Sequence, residues 1–560
     1  MSSLHPFFRF ALAAVLAATI AACGTAVDND AAAPVNKGAA SRVVPMPAVE
    51  SEERDARVLY ENKAVAPMAA VMRQKQAFDM AGIRQPSAGV NRENYANIED
   101  NGVKAVVEQP VSTFSIDVDS GAYALVRRYL NQGSLPPKDA VRAEELINYF
   151  NYNYPIPNKN NQPFSVVTEV ARTPWNRDSL LVHVGIQGHV PQREVRPASN
   201  LVFLVDVSGS MSAPDKLPLL KSAFKLLIKQ LGADDRVSLV VYAGASGVVL
   251  EPTPGDQRGK IMAALERLSA GGSTHGSAGI QLAYAMAEQG RIEDGINRVI
   301  LATDGDFNVG TVNHEQLMDL IEEKREKGVT LTTLGFGQGN YNDHLMEQLA
   351  DKGNGNYAYI DTINEAQKVL VDELDATLEV IAKDVKIQIE WNPAVVAEYR
   401  LIGYENRLLA REDFSNDKVD AGDIGAGHTV TALYEIVLVG SQGQRLEPLR
   451  YTSGSQTNGK REELAHLRLR YKAPDGARSK LIESPILAKS VERDPARTSD
   501  NFRFSASVAA FAQLLRGGRY TETFDYGDVA TLAQGARGSD PYGYRGEFLR
   551  LVNLASNLGG

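Results

Sequence analysis

Five oxygen-bearing side chains stand at three places in the sequence. Asp206, Ser208 and Ser210 follow an apolar run at alternate positions, so a curved loop can aim their oxygens at one point. Thr274 lies in the glycine-rich stretch GGSTHG, and Asp304 lies in LATDGD after another apolar run. Carboxylates and hydroxyls are hard ligands, which suit Mg²⁺, Mn²⁺ or Ca²⁺ rather than zinc or copper. The sequence therefore predicts a divalent metal site.

Other polar residues near these positions have a structural interpretation as well as a functional one. His275 either contacts a ligand or donates to a backbone carbonyl, and Asp306 and Asn308 either line the metal pocket or shape its loop. Asp117 and Asp119 form the D-x-D pattern of aspartyl phosphatases. Because no partner motif accompanies them, we interpret these two as turn-forming acids at a strand end.

The sequence lacks the patterns of common hydrolases. It has no G-x-S-x-G elbow and no H-E-x-x-H, and the stretch GDQRGK is one residue short of a P-loop. A metal-dependent hydrolase would need a general base near the metal, and His275 is the one imidazole nearby. We therefore predict that the protein is not an enzyme.

Alternating strand and helix patterns position the five residues. The run Leu201–Val205 is typical of a strand that is buried on both faces, residues 216–231 carry a helical apolar stripe, and a closing helix is predicted over 365–381. This alternation predicts an α/β fold with a doubly wound, mainly parallel sheet. Such sheets bind ligands at the carboxyl ends of their strands, where Asp206 and Asp304 stand.

The set D-x-S-x-S, the threonine loop and T-D-G after a strand resembles the metal-ion-dependent adhesion site of the von Willebrand factor type A domain. The resemblance spans residues 200–381. It implies that Ser208, Ser210 and Thr274 coordinate the metal. It also implies that Asp206 and Asp304 bind the metal directly or through water, and that a protein partner offers an acidic side chain to the metal.

The flanking segments EQPVSTFSIDVD and LPPKDAVRAEELINYF resemble a bacterial subgroup of lipoproteins with this domain, an extra N-terminal segment and a C-terminal domain of unknown function. Strand-like runs at 164–187 and from 383 onward are expected to share one sheet or sandwich, with the α/β domain inserted between them. The predicted organisation is a signal peptide (1–22), a flexible tether (23–100), an N-terminal α+β segment (101–199), the von Willebrand factor type A domain (200–381), a β-rich domain (382–480) and a C-terminal helical region (481–560).

The N-terminus carries the pattern of a bacterial lipoprotein signal. Arg9 precedes an apolar stretch that is too short to span a membrane and that ends in IAACG. The resemblance implies cleavage before Cys23 and attachment of lipid to it, and more than one acyl chain anchors a protein stably. The alternative is an ordinary signal peptide with a chance cysteine, although the sequence has no other cysteine. Gly24 favours the outer membrane if the source is Gram-negative.

Composition excludes several other classes of protein. The 560 residues include 59 basic and 69 acidic ones, and this net charge of −10 argues against nucleic-acid binding. After the N-terminal signal, no apolar run reaches the roughly 18 residues of a membrane helix. One cysteine excludes a disulfide framework and a cysteine-based zinc site.

These features together predict a function in binding. We expect a lipid-anchored protein of the cell envelope that holds a protein partner through Mg²⁺, or through Mn²⁺ or Ca²⁺. One alternative is a structural envelope protein in which the metal only braces the fold. A metal-dependent hydrolase is the less favoured alternative.

Overall fold

The computed structural model describes the chain from residue 92 onward, with gaps. The described residues are 92–157, 162–191, 196–273, 276–305, 307, 314–447, 449, 461–492 and 494–559. Several residues from the sequence analysis lie outside this set, namely Cys23, Thr274, His275, Asp306, Asn308 and the whole signal peptide. Among the described helices, none is both long enough and apolar enough to cross a membrane.

The segment before the α/β domain combines four strands with two helices. They are β1 (Lys104–Ala105), β2 (Val111–Ser115), α1 (Gly121–Asn131), α2 (Ala143–Asn148), β3 (Phe164–Arg172) and β4 (Leu180–Gly188). Strand β4 is buried along its whole length, including its polar residues His183 and Gln187.

A six-stranded sheet forms the centre of the α/β domain. Its strands are β5 (Ser199–Asp206), β6 (Arg236–Tyr242), β7 (Ser246–Pro254), β8 (Ile296–Thr303), β9 (Thr330–Phe336) and β10 (Tyr357–Ile360). In space they run β10-β9-β8-β5-β6-β7, and the neighbours are parallel except for β6 and β7. Strand β5 is therefore central, and its carboxyl end lies beside the carboxyl ends of β6 and β8.

Helices cover both faces of this sheet. They are α3 (Leu217–Ile228), α4 (Arg258–Glu266), α5 (Gly276–Gln289), α6 (His314–Glu326) and α7 (Asp343–Lys352). Because side chains alternate along a strand, Phe203 of β5 packs against Phe224 of α3, whereas Leu204 joins Ile280 and Tyr284 of α5 on the other face. Two apolar cores thus enclose β5, and the doubly wound fold is confirmed.

The end of the α/β domain departs from the single helix predicted over 365–381. It consists of α8 (Ile363–Gln367), a π-helical turn (Lys368–Asp372) and α9 (Leu374–Leu378). The next strand begins at Val380, so the helix prediction is wrong for its last residues. The π turn closes with a bond from the Glu373 N–H to the Lys368 carbonyl at 2.9 Å.

The remaining strands build two sheets. They are β11 (Val380–Trp391), β12 (Val396–Ile402), β13 (Ile424–Gly425), β14 (Thr429–Leu438), β15 (Glu463–Lys472), β16 (Ser479–Leu487) and β17 (Val491–Glu492). One sheet has the order β1-β12-β14-β4-β3-β17, and the other has β13-β11-β15-β16, with β2 paired to β11. Strands β3 and β4 precede the α/β domain, whereas β12 and β14 follow it. The α/β domain is thus an insertion into a β unit.

Three helices complete the chain. They are α10 (Asp500–Leu515), α11 (Tyr526–Gly535) and α12 (Tyr544–Gly559). Phe504 and Phe548 from these helices pack against Phe150, and Phe511 packs against Phe548, with edge-to-face rings between 4.9 and 5.8 Å apart. The C-terminal helices therefore share a core with the segment that precedes the α/β domain.

Two predicted boundaries need correction. The tether does not extend to residue 100, because the Arg92 N–H donates to the Gly339 carbonyl at 2.8 Å and the Glu93 carboxylate lies 2.6 Å from the Arg128 guanidinium. The β-rich domain does not end at residue 480, because β16 continues its pairing with β15 as far as Leu487.

Candidate functional site

Asp206 is the last residue of β5 and is fully buried at the carboxyl edge of the sheet. Its Oδ1 accepts the Ser208 N–H at 2.8 Å, and its Oδ2 accepts the hydroxyls of Thr303 at 3.0 Å and Tyr242 at 3.3 Å. Burial raises the pKa of Asp206 to about 6, and the nearby charge of Asp304 adds to this rise. The carboxylate is therefore fixed in orientation but lacks full compensation for its charge.

Ser208 and Ser210 lie on the loop that leaves β5. Their hydroxyl oxygens are 2.9 Å apart, at the start of a 3-10 turn over Gly209–Ser212. Ser208 is buried, whereas Ser210 is exposed. The site is consequently open to solvent on the side of Ser210.

Two backbone hydrogen bonds bring the glycine-rich loop beside this turn. The Gly209 N–H donates to the Gly272 carbonyl at 3.0 Å, and the Gly271 N–H donates to the Val207 carbonyl at 2.8 Å. Thr274 follows two residues after Gly272 but lies outside the described residues. Its assignment as a ligand stays a prediction.

Asp304 directly follows β8 and is fully buried. Its Oδ2 accepts a hydrogen bond from Lys216 Nζ at 2.8 Å. The same ammonium donates to Asn340 Oδ1 at 3.0 Å. The sheet thus brings Asp206 and Asp304 to one edge, close enough for their charges to interact.

The described donors fit a divalent metal. They are two carboxylates and two hydroxyls, the hard oxygen ligands that Mg²⁺ and Mn²⁺ take. The hydroxyls of Ser208 and Ser210 are hydrogen-bonded to each other at 2.9 Å, so their two oxygens already lie together. The raised pKa of Asp206 indicates a carboxylate that a cation would stabilise.

Several residues of the site escaped the sequence analysis. Tyr242 and Thr303 orient Asp206, whereas Lys216 and Asn340 contact Asp304 or its partner. The sequence could have indicated Thr303, since it is the threonine of the T-D-G pattern. Nothing in the sequence indicates a role for Lys216 at the site, because a lysine at the start of an amphipathic helix is ordinarily a solvated residue.

The D-x-D pair has a structural role. Asp117 Oδ1 accepts the Asp119 N–H at 3.0 Å, and Asp117 Oδ2 accepts from the Arg407 guanidinium at 3.1 Å. Asp119 Oδ1 in turn accepts the Tyr357 N–H of β10 at 2.7 Å. These acids terminate a strand and join it to the α/β domain, as their interpretation as turn-forming acids predicts.

A second group of carboxylates lies between the α/β domain and the β unit. Among the described residues, Asp117, Glu145 and Glu347 offer oxygens within 4.8 Å of one another. Arg407 contacts Asp117 and Glu347, and Arg142 contacts Glu145. The two guanidinium groups supply the positive charge here, so this group is a buried ion-pair network.

The doubly wound sheet, with serines and aspartates at its carboxyl edge, defines a protein of the von Willebrand factor type A class. The family named von Willebrand factor type A domain matches residues 200–372. The family named von Willebrand factor matches residues 89–183, and the family named Uncharacterized protein YfbK, C-terminal, matches residues 376–558. The chain belongs to the YfbK family, because it is 48% identical over 472 residues to the Uncharacterized protein YfbK of Escherichia coli (strain K12). That alignment covers 83% of this chain and 81% of the relative.

Other relatives are more distant. The Uncharacterized protein sll0103 of Synechocystis sp. is 24% identical over 310 residues, which cover 54% of this chain and 69% of that protein. Among solved structures, the von Willebrand factor type A from Catenulispora acidiphila is 17% identical with a TM-score of 0.39, and the match covers 73% of this chain and 98% of that one.

Proposed function

We propose that the protein is a lipid-anchored protein of the cell envelope that binds a protein partner through a divalent metal. Asp206, Ser208, Ser210, Thr274 and Asp304 are the proposed metal-binding residues. The observation that carries this proposal is the buried carboxylate of Asp206, which three hydrogen bonds orient beside two hydroxyls at the carboxyl edge of the sheet.

Some residues of the proposed site orient the Asp206 carboxylate, and others bind the metal. Thr303, Tyr242 and the Ser208 N–H fix the Asp206 carboxylate from behind. Ser208 and Ser210 are neutral, so they hold the metal without neutralising it. A divalent ion held by such a set supplies positive charge to an acidic side chain of a partner, which reaches the site on the exposed side of Ser210.

A role in which the metal only braces the fold is less well supported. Backbone hydrogen bonds already join the Ser208 loop to the Gly271 loop, and Lys216 already pairs with Asp304. The loops are therefore held together by groups of the chain itself.

We also propose that the protein is not an enzyme. Phosphate and peptide esters can be assayed with Mg²⁺, and hydrolysis that depends on Asp206 would contradict this proposal.

Partner capture from envelope extract tests the proposal. The full mature chain is immobilised and incubated with extract in Mg²⁺ or in EDTA, beside its Asp206→Ala variant and the control Asp256→Ala. Asp256 is exposed and follows β7 at the opposite end of the sheet. We expect one protein to be retained by the parent and the control in Mg²⁺ only. Equal retention by Asp206→Ala would contradict the proposal.

The lipid anchor is tested separately. Mass spectrometry of the mature protein should find an N-terminus at Cys23 that bears acyl chains. The Cys23→Ala variant should leave the membrane fraction, because a protein without acyl chains lacks this anchor. A mature N-terminus at another residue, without lipid, would contradict the anchoring.

A further inference from the structure

Lys216 brings a positive charge to the metal-binding edge of the sheet. It immediately precedes α3, and its side chain is 7% exposed. Its ammonium donates to Asp304 Oδ2 at 2.8 Å and to Asn340 Oδ1 at 3.0 Å. Two contacts from different loops thus hold this cation against a proposed metal-binding residue.

A glycine beside Lys216 leaves room for its side chain to reach Asp304. Gly337 follows β9 and has a φ of +72°, and a Cβ there would overlap Cγ and Cε of Lys216. The aliphatic stem of the lysine therefore lies against a residue without a side chain. The carbonyl of Gly337 is fixed in turn by the Arg128 guanidinium, which donates to it at 3.2 Å.

The charges of the described residues explain what such a lysine does. Asp206 and Asp304 together carry two negative charges, which alone would neutralise a divalent ion. Lys216 cancels one of them. A metal that Asp304 binds directly or through water lies close to the Lys216 ammonium, and like charges at short range in a buried site repel strongly.

We propose that Lys216 is a resident counter-cation that lowers the affinity of the site for divalent metal and pairs with Asp304 when metal is absent. This inference rests on the metal site of the proposed function. It has two consequences. The loops stay paired without metal, and the bound ion keeps more net positive charge for an acidic partner.

The test is metal-binding calorimetry on the full mature chain in detergent, with Mn²⁺ as the probe. Lys216→Met keeps the apolar stem over Gly337 and removes the charge, and Lys216→Gln also keeps a hydrogen-bond donor. The control is Lys225→Met, which removes a half-exposed lysine of α3 that pairs with Glu266. We expect both Lys216 variants to bind Mn²⁺ about tenfold more tightly than the parent, and the control to be unchanged.

Thermal melting supplies a second readout. In EDTA, Lys216→Met should melt below the parent, because Asp304 has lost its ion pair. Saturating Mn²⁺ should then raise the melting temperature by more in Lys216→Met than in the parent.

Unchanged or weaker Mn²⁺ binding by the Lys216 variants, with normal binding by the parent, would overturn this inference alone. Tighter binding by Lys216→Met but not by Lys216→Gln would also overturn it, since the hydrogen bond rather than the charge would then be the cause. If neither the parent nor any Lys216 variant binds Mn²⁺, the proposed function falls as well.

Discussion

Ser210 is a proposed metal ligand whose removal should not disturb the fold. Its hydroxyl lies 2.9 Å from that of Ser208, yet the residue is exposed. Removing the hydroxyl takes one neutral oxygen from the proposed metal site and creates no buried cavity. Metal binding and fold stability should therefore respond very differently to this substitution.

We expect Ser210→Ala to weaken Mn²⁺ binding about tenfold. The stability of the metal-free protein should change by no more than about 0.5 kcal/mol, as for other exposed positions. Calorimetry with Mn²⁺ and melting in EDTA measure the two effects. The control Ser222→Ala removes an exposed hydroxyl of α3 that donates to the Pro218 carbonyl at 3.0 Å, and it should change neither. Unaltered Mn²⁺ affinity in Ser210→Ala would remove Ser210 from the site.

Glu144 is a buried carboxyl group away from the metal site. Its Oε2 accepts the Tyr404 N–H at 2.9 Å, and burial together with the charges of Glu405 and Asp117 raises its pKa to about 8. Because this pKa is higher than in the unfolded chain, the folded state binds more protons between about pH 4.5 and pH 8. Stability contributed by Glu144 is therefore present at acid pH and is lost as the pH rises through 8.

Replacing Glu144 by Gln should make stability less dependent on pH. The parent is expected to melt several degrees lower at pH 8.5 than at pH 5, and Glu144→Gln should reduce this difference because its side chain cannot ionise. Melting curves at the two pH values test this, with the exposed Glu412→Gln as the control. An equal pH dependence in Glu144→Gln and the parent would show that Glu144 does not titrate in this range.

At the scale of elements, Arg127 joins three helical segments. It lies on α1, and its guanidinium contacts Asp361 before α8, Glu365 on α8 at 2.7 Å and Glu547 on α12 at 2.9 Å. Asp361 and Glu365 are almost fully buried. Burial raises the pKa of Asp361, whereas the positive charge of Arg127 opposes that rise.

We expect Arg127→Met to destabilise the fold by about 3–5 kcal/mol, because it leaves buried carboxylates without their counter-ion. The control Lys352→Met removes an exposed ion pair with Glu322 and should cost less than about 1 kcal/mol. Denaturant unfolding of the full chain measures both. A loss below about 1 kcal/mol in Arg127→Met would mean that the carboxylates are protonated or solvated instead.

The closing helix shows where sequence periodicity stops being informative. The apolar residues over 365–381 have helical spacing, but the helix is interrupted by a π turn that begins at Lys368, which lies 4.4 Å above the ring of Tyr149 and 2.7 Å from Glu373. Tyr149 is distant in sequence, so no local pattern reveals this contact. The antiparallel edge strand β7 was not predicted, since its glycine and two prolines obscure strand alternation.

The candidate site also contains some residues that local sequence patterns reveal and others that only contacts between distant parts of the chain reveal. Motif spacing singled out Asp206, Ser208, Ser210 and Asp304 as candidates, because they lie at or just after the ends of strands β5 and β8. Lys216 could not be found in this way. Lys216 reaches Asp304 because α3 crosses the sheet and because Gly337 has no side chain in the space that the lysine fills. Both conditions arise only in the folded chain.

On the scale of the whole molecule, the α/β domain is joined to its surroundings by more than its two chain connections. Ala124 and Leu125 of α1 share an apolar cluster with Tyr341, Met346 and other residues of the α/β domain. Buried ion pairs of Arg127 and Arg142, and the hydrogen bond from Arg128 to the Gly337 carbonyl, cross the same boundary. The insertion is therefore packed against the β unit and its helices rather than tethered to them.

We expect the chain to unfold in one cooperative transition in spite of its several cores. Because the shared cluster and the buried ion pairs break together, unfolding of the α/β domain should expose surface that destabilises the rest. Differential scanning calorimetry of the mature chain measures this, by the number of transitions and the ratio of calorimetric to van't Hoff enthalpy. Two resolved transitions, with the metal shifting only one, would show that the α/β domain is energetically independent.

Thermal melting in Mg²⁺ and in EDTA tests directly whether Asp206 and its neighbours bind a divalent metal. An ion that binds only the folded state stabilises it by about 2.7 kcal/mol at a hundredfold excess over Kd. The parent and the control Asp256→Ala should melt at higher temperature in millimolar Mg²⁺, and EDTA should reverse this shift. Asp206→Ala should stay folded in EDTA and show no shift in Mg²⁺. The same Mg²⁺-dependent shift in Asp206→Ala as in the parent would contradict the account, because the metal would then bind elsewhere.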